Sequence, residues 1–134
     1  MRYLALDLGD RRIGVAVSDS LGMLARPVEV FERRSRVADF EYIRTLIQHH
    51  KAEALVVGLP LNLNGTEGQQ VAWVRDYTEA LKDTLSVPII LWDERLSSEK
   101  AIDILRQQGR NPRTEPIDAV AAAVILQSYL DSEV

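Results

Sequence analysis

The chain has 134 residues, of which 46% are hydrophobic and 27% are charged. This balance is typical of a globular protein and excludes a wholly disordered chain. The absence of cysteine excludes disulfides, thiolate metal sites and cysteine nucleophiles. A formal net charge of −4 argues against a protein that coats nucleic acid by bulk charge alone.

Length and hydropathy predict a single cytoplasmic domain over residues 1–134. A chain of this size buries roughly two thirds of the surface that its unfolded form exposes, which is enough for a stable core. The longest wholly apolar run, Ala119–Leu126, is far shorter than a membrane span. Asp7 interrupts the apolar N-terminal stretch, so we expect neither a secretion signal nor a membrane partner.

The first third of the chain predicts three consecutive strands. Arg2–Leu8 and Arg12–Ser18 are apolar or β-branched segments joined by a tight turn at Gly9–Arg11, which predicts an antiparallel pair. A third strand is predicted from about Pro27 to Phe31, where apolar and polar residues alternate.

The rest of the chain predicts helices that alternate with buried strands. A helix is predicted over roughly 37–51, and the wholly apolar run Ala54–Gly58 suits a buried parallel strand. Thr66 and Gln69 form a capping-box pattern that would open a second helix. The later predicted elements are a strand at Pro88–Trp92, a helix capped by Ser97 and ending at Gly109, and a last helix from Pro116 to about Leu130. This order predicts an α/β fold with a mixed five-stranded sheet, three antiparallel strands followed by parallel crossovers, and helices on both faces.

Asp7 is the most informative residue of the sequence. It ends a strand that is apolar on both faces, so we expect it near the centre of the sheet. An unpaired carboxylate at such a position is costly, and a metal ion or a fixed cation would remove that cost. The alternative is a terminal acid whose oxygens accept hydrogen bonds from the Gly9–Asp10 turn.

A second pair of acids, Asp93 and Glu94, ends another apolar strand. Ends of parallel strands are where open α/β sheets hold their ligands. Because consecutive strand residues face opposite ways, at most one of the two acids is expected to share a site with Asp7. The alternative is that both are solvated loop acids, one of them neutralised by Arg95.

Asp118 is the third candidate, and it is the only ionisable side chain between Pro116 and Tyr129. Several alanines follow it, and small residues let a helix approach a sheet closely. We therefore expect Asp118 on or near the buried side of the last helix. The alternative is an acid in a first helical turn that interacts favourably with the helix dipole, worth ~0.3–1 kcal/mol.

Three acids at the ends of buried elements predict a shared cation site. Carboxylate oxygens suit Mg²⁺ or Mn²⁺, whereas Zn²⁺ would prefer nitrogen or sulfur ligands. Two such ions ~3.5–4 Å apart can activate a water and stabilise the leaving oxygen in phosphodiester hydrolysis. A two-metal phosphodiester hydrolase is therefore one function that these acids would suit.

Four segments of the chain resemble the YqgF/RuvX family in order and spacing. They are Leu6–Asp19, Val57–Pro60, Asp93–Ser98 and Ile117–Ala122. The resemblance implies an RNase H-like nuclease domain that trims the 5′ end of pre-16S rRNA in the bacterial cytoplasm, and similarity to RuvC implies resolution of Holliday junctions as the alternative. It places the catalytic and metal-binding acids at Asp7, Glu94 and Asp118, with Asp93 as the alternative second ligand.

Binding of the substrate is expected to depend on polar side chains beside the acids. We expect Arg12 or Arg95 to hold a phosphate as a bidentate clamp, with a structural salt bridge as the alternative for either. Asn62 is a further candidate for contact with sugar or phosphate, although asparagine is also typical of a turn. The expected partner is nucleic acid, either pre-rRNA or branched DNA, bound by a monomer or a homodimer.

Two other functions are compatible with the same residues. One is a ribosome-assembly factor that binds nucleic acid through a vestigial site and does not cleave it. The other is a sugar-kinase-like or actin-like phosphotransferase, because an Asp-x-Gly strand also opens those folds. Against it, we find no Walker-type loop, and a single 134-residue unit offers no second lobe to enclose ATP.

A basic cluster and two tryptophans have a simpler interpretation than contact with a substrate. The cluster of Arg33, Arg34 and Arg36 is expected to be a solvated face. Trp73 and Trp92 lie in apolar periodic segments, so both are expected in the core rather than on a base-stacking surface.

Overall fold

A computed structural model of the chain describes residues 1–62, 64–96, 103, 106–107 and 117–133. Its strands form one mixed sheet: β1 (Tyr3–Leu8), β2 (Arg12–Ser18), β3 (Ala25–Glu32), β4 (Ala54–Leu59) and β5 (Ile89–Asp93). They lie in the order β3-β2-β1-β4-β5. The pairs β1–β2 and β2–β3 are antiparallel, and the pairs β1–β4 and β4–β5 are parallel. The predicted mixed sheet is therefore confirmed, with β1 at its centre.

Helices cover both faces of this sheet, as predicted. They are α1 (Arg36–His50), α2 (Gln69–Leu81) and α3 (Ile117–Ser132), and a 3₁₀ turn at Glu94–Leu96 follows β5 directly. The helix predicted from Ser97 to Gly109 falls outside the described residues except at three helical positions, which are Asp103, Arg106 and Gln107. Within the described parts of the chain, no helix is long and apolar enough to cross a membrane.

Two hydrophobic cores result from the alternation of side chains along β1. Leu4, Leu6 and Leu8 point toward α1 and α2 and are at most 4% exposed. Ala5 points to the other face, where it packs in the core that α3 covers. The face under α3 is rich in alanine, and the small side chains allow the helix to lie close to the sheet.

Gln127 anchors α3 to the β2–β3 end of the sheet. Its side chain is 1% exposed, and its Oε1 accepts a hydrogen bond from Ala25 N at 2.9 Å. Its Nε2 donates to Met23 O at 3.0 Å. A buried amide with satisfied hydrogen bonds specifies one arrangement of its helix, because leaving these groups unpaired would cost about 1–3 kcal/mol each. Gln127 thereby fixes the C-terminal half of α3 against the start of β3.

The predicted capping box at Thr66 and Gln69 is wrong. The N-cap of α2 is Gly68, which makes no side-chain capping bond. Thr66 Oγ1 instead donates to Asn64 Oδ1 at 2.6 Å and accepts from Asn62 Nδ2 at 3.0 Å. The hydroxyl is used within the loop, as serine, threonine and asparagine side chains commonly are.

Candidate active site

Asp7 lies near the C-terminal end of the central strand, on the face that α3 covers. It pairs across the antiparallel ladder with Gly14 of β2. Burial penalises its charged form and the Asp118 carboxylate repels it, so the pKa of Asp7 rises to about 6. Asp118 lies close enough to interact electrostatically with Asp7, although 111 positions separate them in the chain.

Gly14 allows α3 to bring Asp118 to this position. A Cβ on Gly14 would overlap the main-chain oxygen of Asp118 and would stand 2.9 Å from Ala119 N. The first turn of α3 therefore rests directly on the backbone of β2. Asp118 also lies near a cation, since Arg12 Nε is 3.6 Å from Asp118 Oδ2.

Glu94 approaches Asp7 from the opposite side, from the 3₁₀ turn that follows β5. Its Oε1 lies 2.5 Å from the point where a Cβ on Gly58 would stand. Burial, repulsion by Asp7 and repulsion by Asp93 raise the pKa of Glu94 to about 7. Asp7 is thus flanked by one acid from α3 and one acid from the end of β5.

Two glycines, which the sequence reasoning missed as site residues, occupy matching positions on the strands that neighbour β1. Gly14 is directly opposite Asp7 in β2. Gly58 follows Val57, the residue of β4 that pairs with Leu6. A signal for both was present in the sequence, because a glycine inside a strand often marks the close approach of another group.

Asp93 differs from Glu94 because its carboxylate is paired with the guanidinium of Arg95. Arg95 NH2 donates to Asp93 Oδ2 at 2.7 Å, and the main-chain N–H of Arg95 donates to Asp93 Oδ1 at 2.9 Å. The hydrogen bonds from the Arg95 side chain lower the pKa of Asp93. The acid that faces Asp7 is therefore Glu94, while Asp93 orients Arg95.

The three predicted substrate-binding residues lie on two sides of the acids. Arg12 stands on β2 beside Asp118. Arg95 lies against the loop after β4, where its NH1 is 3.5 Å from the position of a Cβ on Gly65. The same loop holds Asn62, whose main-chain oxygen accepts from Gly65 N at 2.8 Å. The structure therefore brings Asn62 and Arg95 to one side of the site and Arg12 to the other.

The acids provide an all-oxygen donor set that fits Mg²⁺ or Mn²⁺. In the part of the chain that the structure describes, no three His, Cys, Asp or Glu side chains already stand in the arrangement of a metal site. The acids instead form two interacting pairs that share Asp7, which are Asp7–Asp118 and Asp7–Glu94. Burial and repulsion by neighbouring acids raise the pKa values of two of these carboxylates, Asp7 and Glu94. A divalent cation would stabilise their charged forms.

A groove of about 680 Å³ lies away from these acids, between β3 and α1. Its buried acid, Asp39, accepts a hydrogen bond from Arg34 N at 2.9 Å and one from the Tyr77 hydroxyl at 3.4 Å. Because its oxygens already accept hydrogen bonds within the fold, we assign Asp39 a structural role rather than a catalytic one. The groove is therefore not the candidate active site.

With this geometry established, comparison with known proteins identifies the family. The family model described as "RuvX: Holliday junction resolvase" matches residues 1–132. The chain belongs to the RuvX family. Among similar RuvX relatives, one from Thermoanaerobacter pseudethanolicus is 45% identical, covering 99% of this chain and 98% of the relative. One from Syntrophomonas wolfei is 42% identical, covering 98% of this chain and 94% of the relative. Both carry the name "Putative pre-16S rRNA nuclease".

Solved structures similar to this RuvX chain include two Holliday junction resolvases. RuvC of T. thermophilus, in complex with a Holliday junction substrate, matches with a TM-score of 0.66 and 15% identity, covering 99% of this chain and 95% of RuvC. The fowlpox virus resolvase, in complex with Holliday junction DNA, matches with a TM-score of 0.59 and 11% identity, covering 100% and 99% of the two chains. These similarities confirm the RNase H-like fold.

Proposed function

We propose that this RuvX chain is a divalent-metal-dependent nuclease that processes the 5′ end of precursor 16S rRNA. The observation that carries the proposal is the position of Asp7 between Glu94 and Asp118, with raised pKa values at Asp7 and Glu94. The names of its relatives, at 42–45% identity over nearly the whole chain, support the substrate.

The acids would hold the metal in the two pairs that share Asp7. Asp7 with Asp118 offers one set of oxygens, and Asp7 with Glu94 offers the other. When bound, a pair of divalent ions supplies activation of water and stabilisation of the leaving oxygen in phosphodiester hydrolysis. The protein contributes a rigid central strand and two glycine positions that keep the carboxylates close together.

Arginines on both sides of the acids would direct the phosphate backbone. The Arg12–Asp118 pair is largely exposed, with side-chain exposures of 66% and 35%. Exposed ion pairs contribute only ~0–1 kcal/mol, so Arg12 can leave Asp118 to contact a phosphate at little cost. Arg95 is oriented by Asp93 toward the loop that carries Asn62, which would place a second phosphate contact on the other side of Asp7.

Cleavage of branched DNA is the second candidate function, and the description of the matching family favours it. The two functions share the acids and differ in what lies around them. Resolution of a four-way junction requires cleavage of two DNA strands, whereas processing of a precursor rRNA end requires cleavage of one RNA strand. Only a direct comparison of substrates separates the two candidates.

The deciding experiment is a substrate panel assayed with Mg²⁺, Mn²⁺ or chelator. The panel contains a 16S precursor fragment with its 5′ extension, an unrelated single-stranded RNA and a four-way DNA junction. We expect cleavage of the precursor fragment with either metal and none with chelator. Cleavage of the junction alone would establish the second candidate. Binding without cleavage of any substrate would indicate a non-catalytic ribosome-assembly factor.

A further inference from the structure

Arg33 binds the turn that connects β1 to β2. It follows β3 in the chain, and its main-chain N–H donates to Arg11 O at 2.8 Å. Its side-chain NH1 donates to Asp10 O at 2.8 Å and to Gly9 O at 3.3 Å. Arg33 thus donates hydrogen bonds to three consecutive carbonyls of this turn. The prediction that the basic cluster is a solvated face is wrong for this arginine.

Two aromatic rings of α2 hold the Arg33 guanidinium in place. Its central carbon lies 4.3 Å from the centroid of the Trp73 ring and 5.8 Å from that of Tyr77. The two rings pack against each other with their centroids 5.2 Å apart. Trp73 packs against the core, as predicted, and also supports a cation. The guanidinium is therefore fixed between a rigid helix and the turn.

The turn held by Arg33 begins two residues after Asp7 and ends at Arg12. It is closed by a hydrogen bond from Gly9 N to Arg12 O at 2.9 Å. The conformation of the turn therefore sets the direction in which Arg12 leaves the sheet toward Asp118. Among the described residues, no hydrogen bond or ion pair joins the Arg33 side chain to Asp7, Glu94 or Asp118, so its influence on the acids passes through the turn.

We propose that Arg33 is a positioning residue, which fixes the β1–β2 turn against α2 and thereby places Arg12 beside the acids. The consequence for activity rests on the proposed nuclease function. The structural part of the inference does not depend on that function, because it concerns hydrogen bonds within the chain. Two experiments test the two parts separately.

The first experiment measures amide hydrogen exchange in the metal-free protein. Arg33→Gln removes the guanidinium that bonds Gly9 O and Asp10 O. We expect the Gly9 amide to exchange about tenfold faster, the size expected from losing a hydrogen bond to a charged group. Amides of the central strand, such as Leu6, should stay protected, which separates a local opening from unfolding. Unchanged exchange at Gly9 would overturn the inference even if the protein proved to have no nuclease activity.

Arg36→Gln is the matched control for this exchange measurement. Arg36 belongs to the same basic cluster and also lies over Tyr77, with its guanidinium carbon 5.5 Å from the ring centroid. Its NH2 bonds Asp76 Oδ2 at 2.7 Å, and no bond from it to the turn is present among the described residues. We expect Arg36→Gln to leave both the Gly9 amide and nucleic-acid cleavage unchanged. Faster exchange at Gly9 in this variant would show a general effect of charge and would contradict our assignment.

The second experiment is a double-mutant cycle on cleavage of the precursor fragment. We expect Arg33→Gln to lower kcat/KM about tenfold and Arg33→Lys to recover part of the loss, since lysine keeps a charged donor. In an Arg12→Gln background, adding Arg33→Gln should change kcat/KM less than about twofold. Additive losses would show that Arg33 acts independently of Arg12 and would overturn the positioning role. Failure of the wild type to cleave would instead contradict the proposed function.

Discussion

Glu94 occupies the space that a side chain on Gly58 would fill. A Cβ on Gly58 would stand 2.5 Å from Glu94 Oε1 and 2.9 Å from Glu94 Cγ. Because glycine at position 58 of β4 has no side chain, Glu94 can reach from the end of β5 to lie close to Asp7. Gly14 has the same role on the other side, where it accommodates the backbone of Asp118.

Gly58→Ala should separate activity from stability. The new methyl group would displace Glu94 and would stand 2.7 Å from Ile125 Cδ1, but both are flexible side chains that can move. We expect a loss of about 1–3 kcal/mol in the free energy of unfolding, together with a fall of tenfold or more in cleavage. Gly68→Ala is the steric control, because its nearest neighbour would stand at 3.6 Å. Since Gly68 is the N-cap of α2, we expect this variant to lose about 0.5–1 kcal/mol of stability but to keep cleavage. Full activity of folded Gly58→Ala would contradict the assigned position of Glu94.

Gly14→Ala should be more damaging to the fold than Gly58→Ala. Here the methyl group would meet backbone atoms of Asp118 and Ala119, which cannot rotate away. We expect a destabilisation of about 3 kcal/mol or more in urea unfolding, at the upper end of overpacking effects. An effect no larger than that of Gly58→Ala would mean that α3 does not rest on β2 as described.

Asp7→Asn should abolish cleavage and stabilise the metal-free protein at neutral pH. The pKa of Asp7 is raised to about 6 in the fold, so its contribution to stability is present at low pH and is lost as the pH rises through about 6. Asparagine does not ionise and avoids this loss. We expect the variant to exceed the wild type by roughly 1–3 kcal/mol at pH 8 and to match it near pH 4. Urea unfolding with chelator at the two pH values tests this, and an equal difference at both would be inconsistent with it.

Glu94→Gln and Asp93→Asn should differ in their effects, although the two residues are adjacent. Glu94 faces Asp7, so losing its charge should reduce cleavage at least about hundredfold, whereas Asp93 orients Arg95 and its loss should cost about tenfold. Steady-state cleavage of the precursor fragment measures both. If Asp93→Asn were the more severe, the second metal ligand would be Asp93.

Binding of Mn²⁺ should strengthen as the pH rises from about 5 to 8. Asp7 and Glu94 have pKa values raised to about 6 and about 7, and both must lose their protons to coordinate a cation. We expect an increase in affinity of at least about tenfold across this range, measured by calorimetry on the intact protein. Asp7→Asn should weaken binding at every pH and flatten this dependence. Binding that does not change with pH would rule out these two acids as the ligands.

The sequence was sufficient to predict the sheet and to select the acids for testing. Alternation along β1 placed Asp7 on one face with Ala5, and the structure has it there. The expected alternation at Asp93 and Glu94 does not apply, because Asp93 is the last residue of β5 and Glu94 already lies in the 3₁₀ turn. The placement of Asp7 depends on local geometry, which the order of residues determines.

Other parts of the site could not be predicted, because they depend on contacts between distant segments. Nothing local to Gly14 shows that the first turn of α3 will lie on it. Likewise, the bonds from Arg33 to the β1–β2 turn depend on the way β3 ends beside that turn. The sequence alone allows Arg12 to be a phosphate clamp or a structural salt bridge, and its 3.6 Å contact with Asp118 is compatible with either role.

The attachment of α3 through Gln127 has a consequence for how the protein acquires activity during its synthesis. Gln127 bonds Ala25, 102 positions earlier in the chain, and the same helix carries Asp118. Strands β1–β3 emerge from the ribosome before this helix and pair through short-range contacts, but Asp118 arrives only when α3 is synthesised. Contacts of such long separation form late and slowly, so Asp118 joins Asp7 only after the central strands of the sheet have been synthesised.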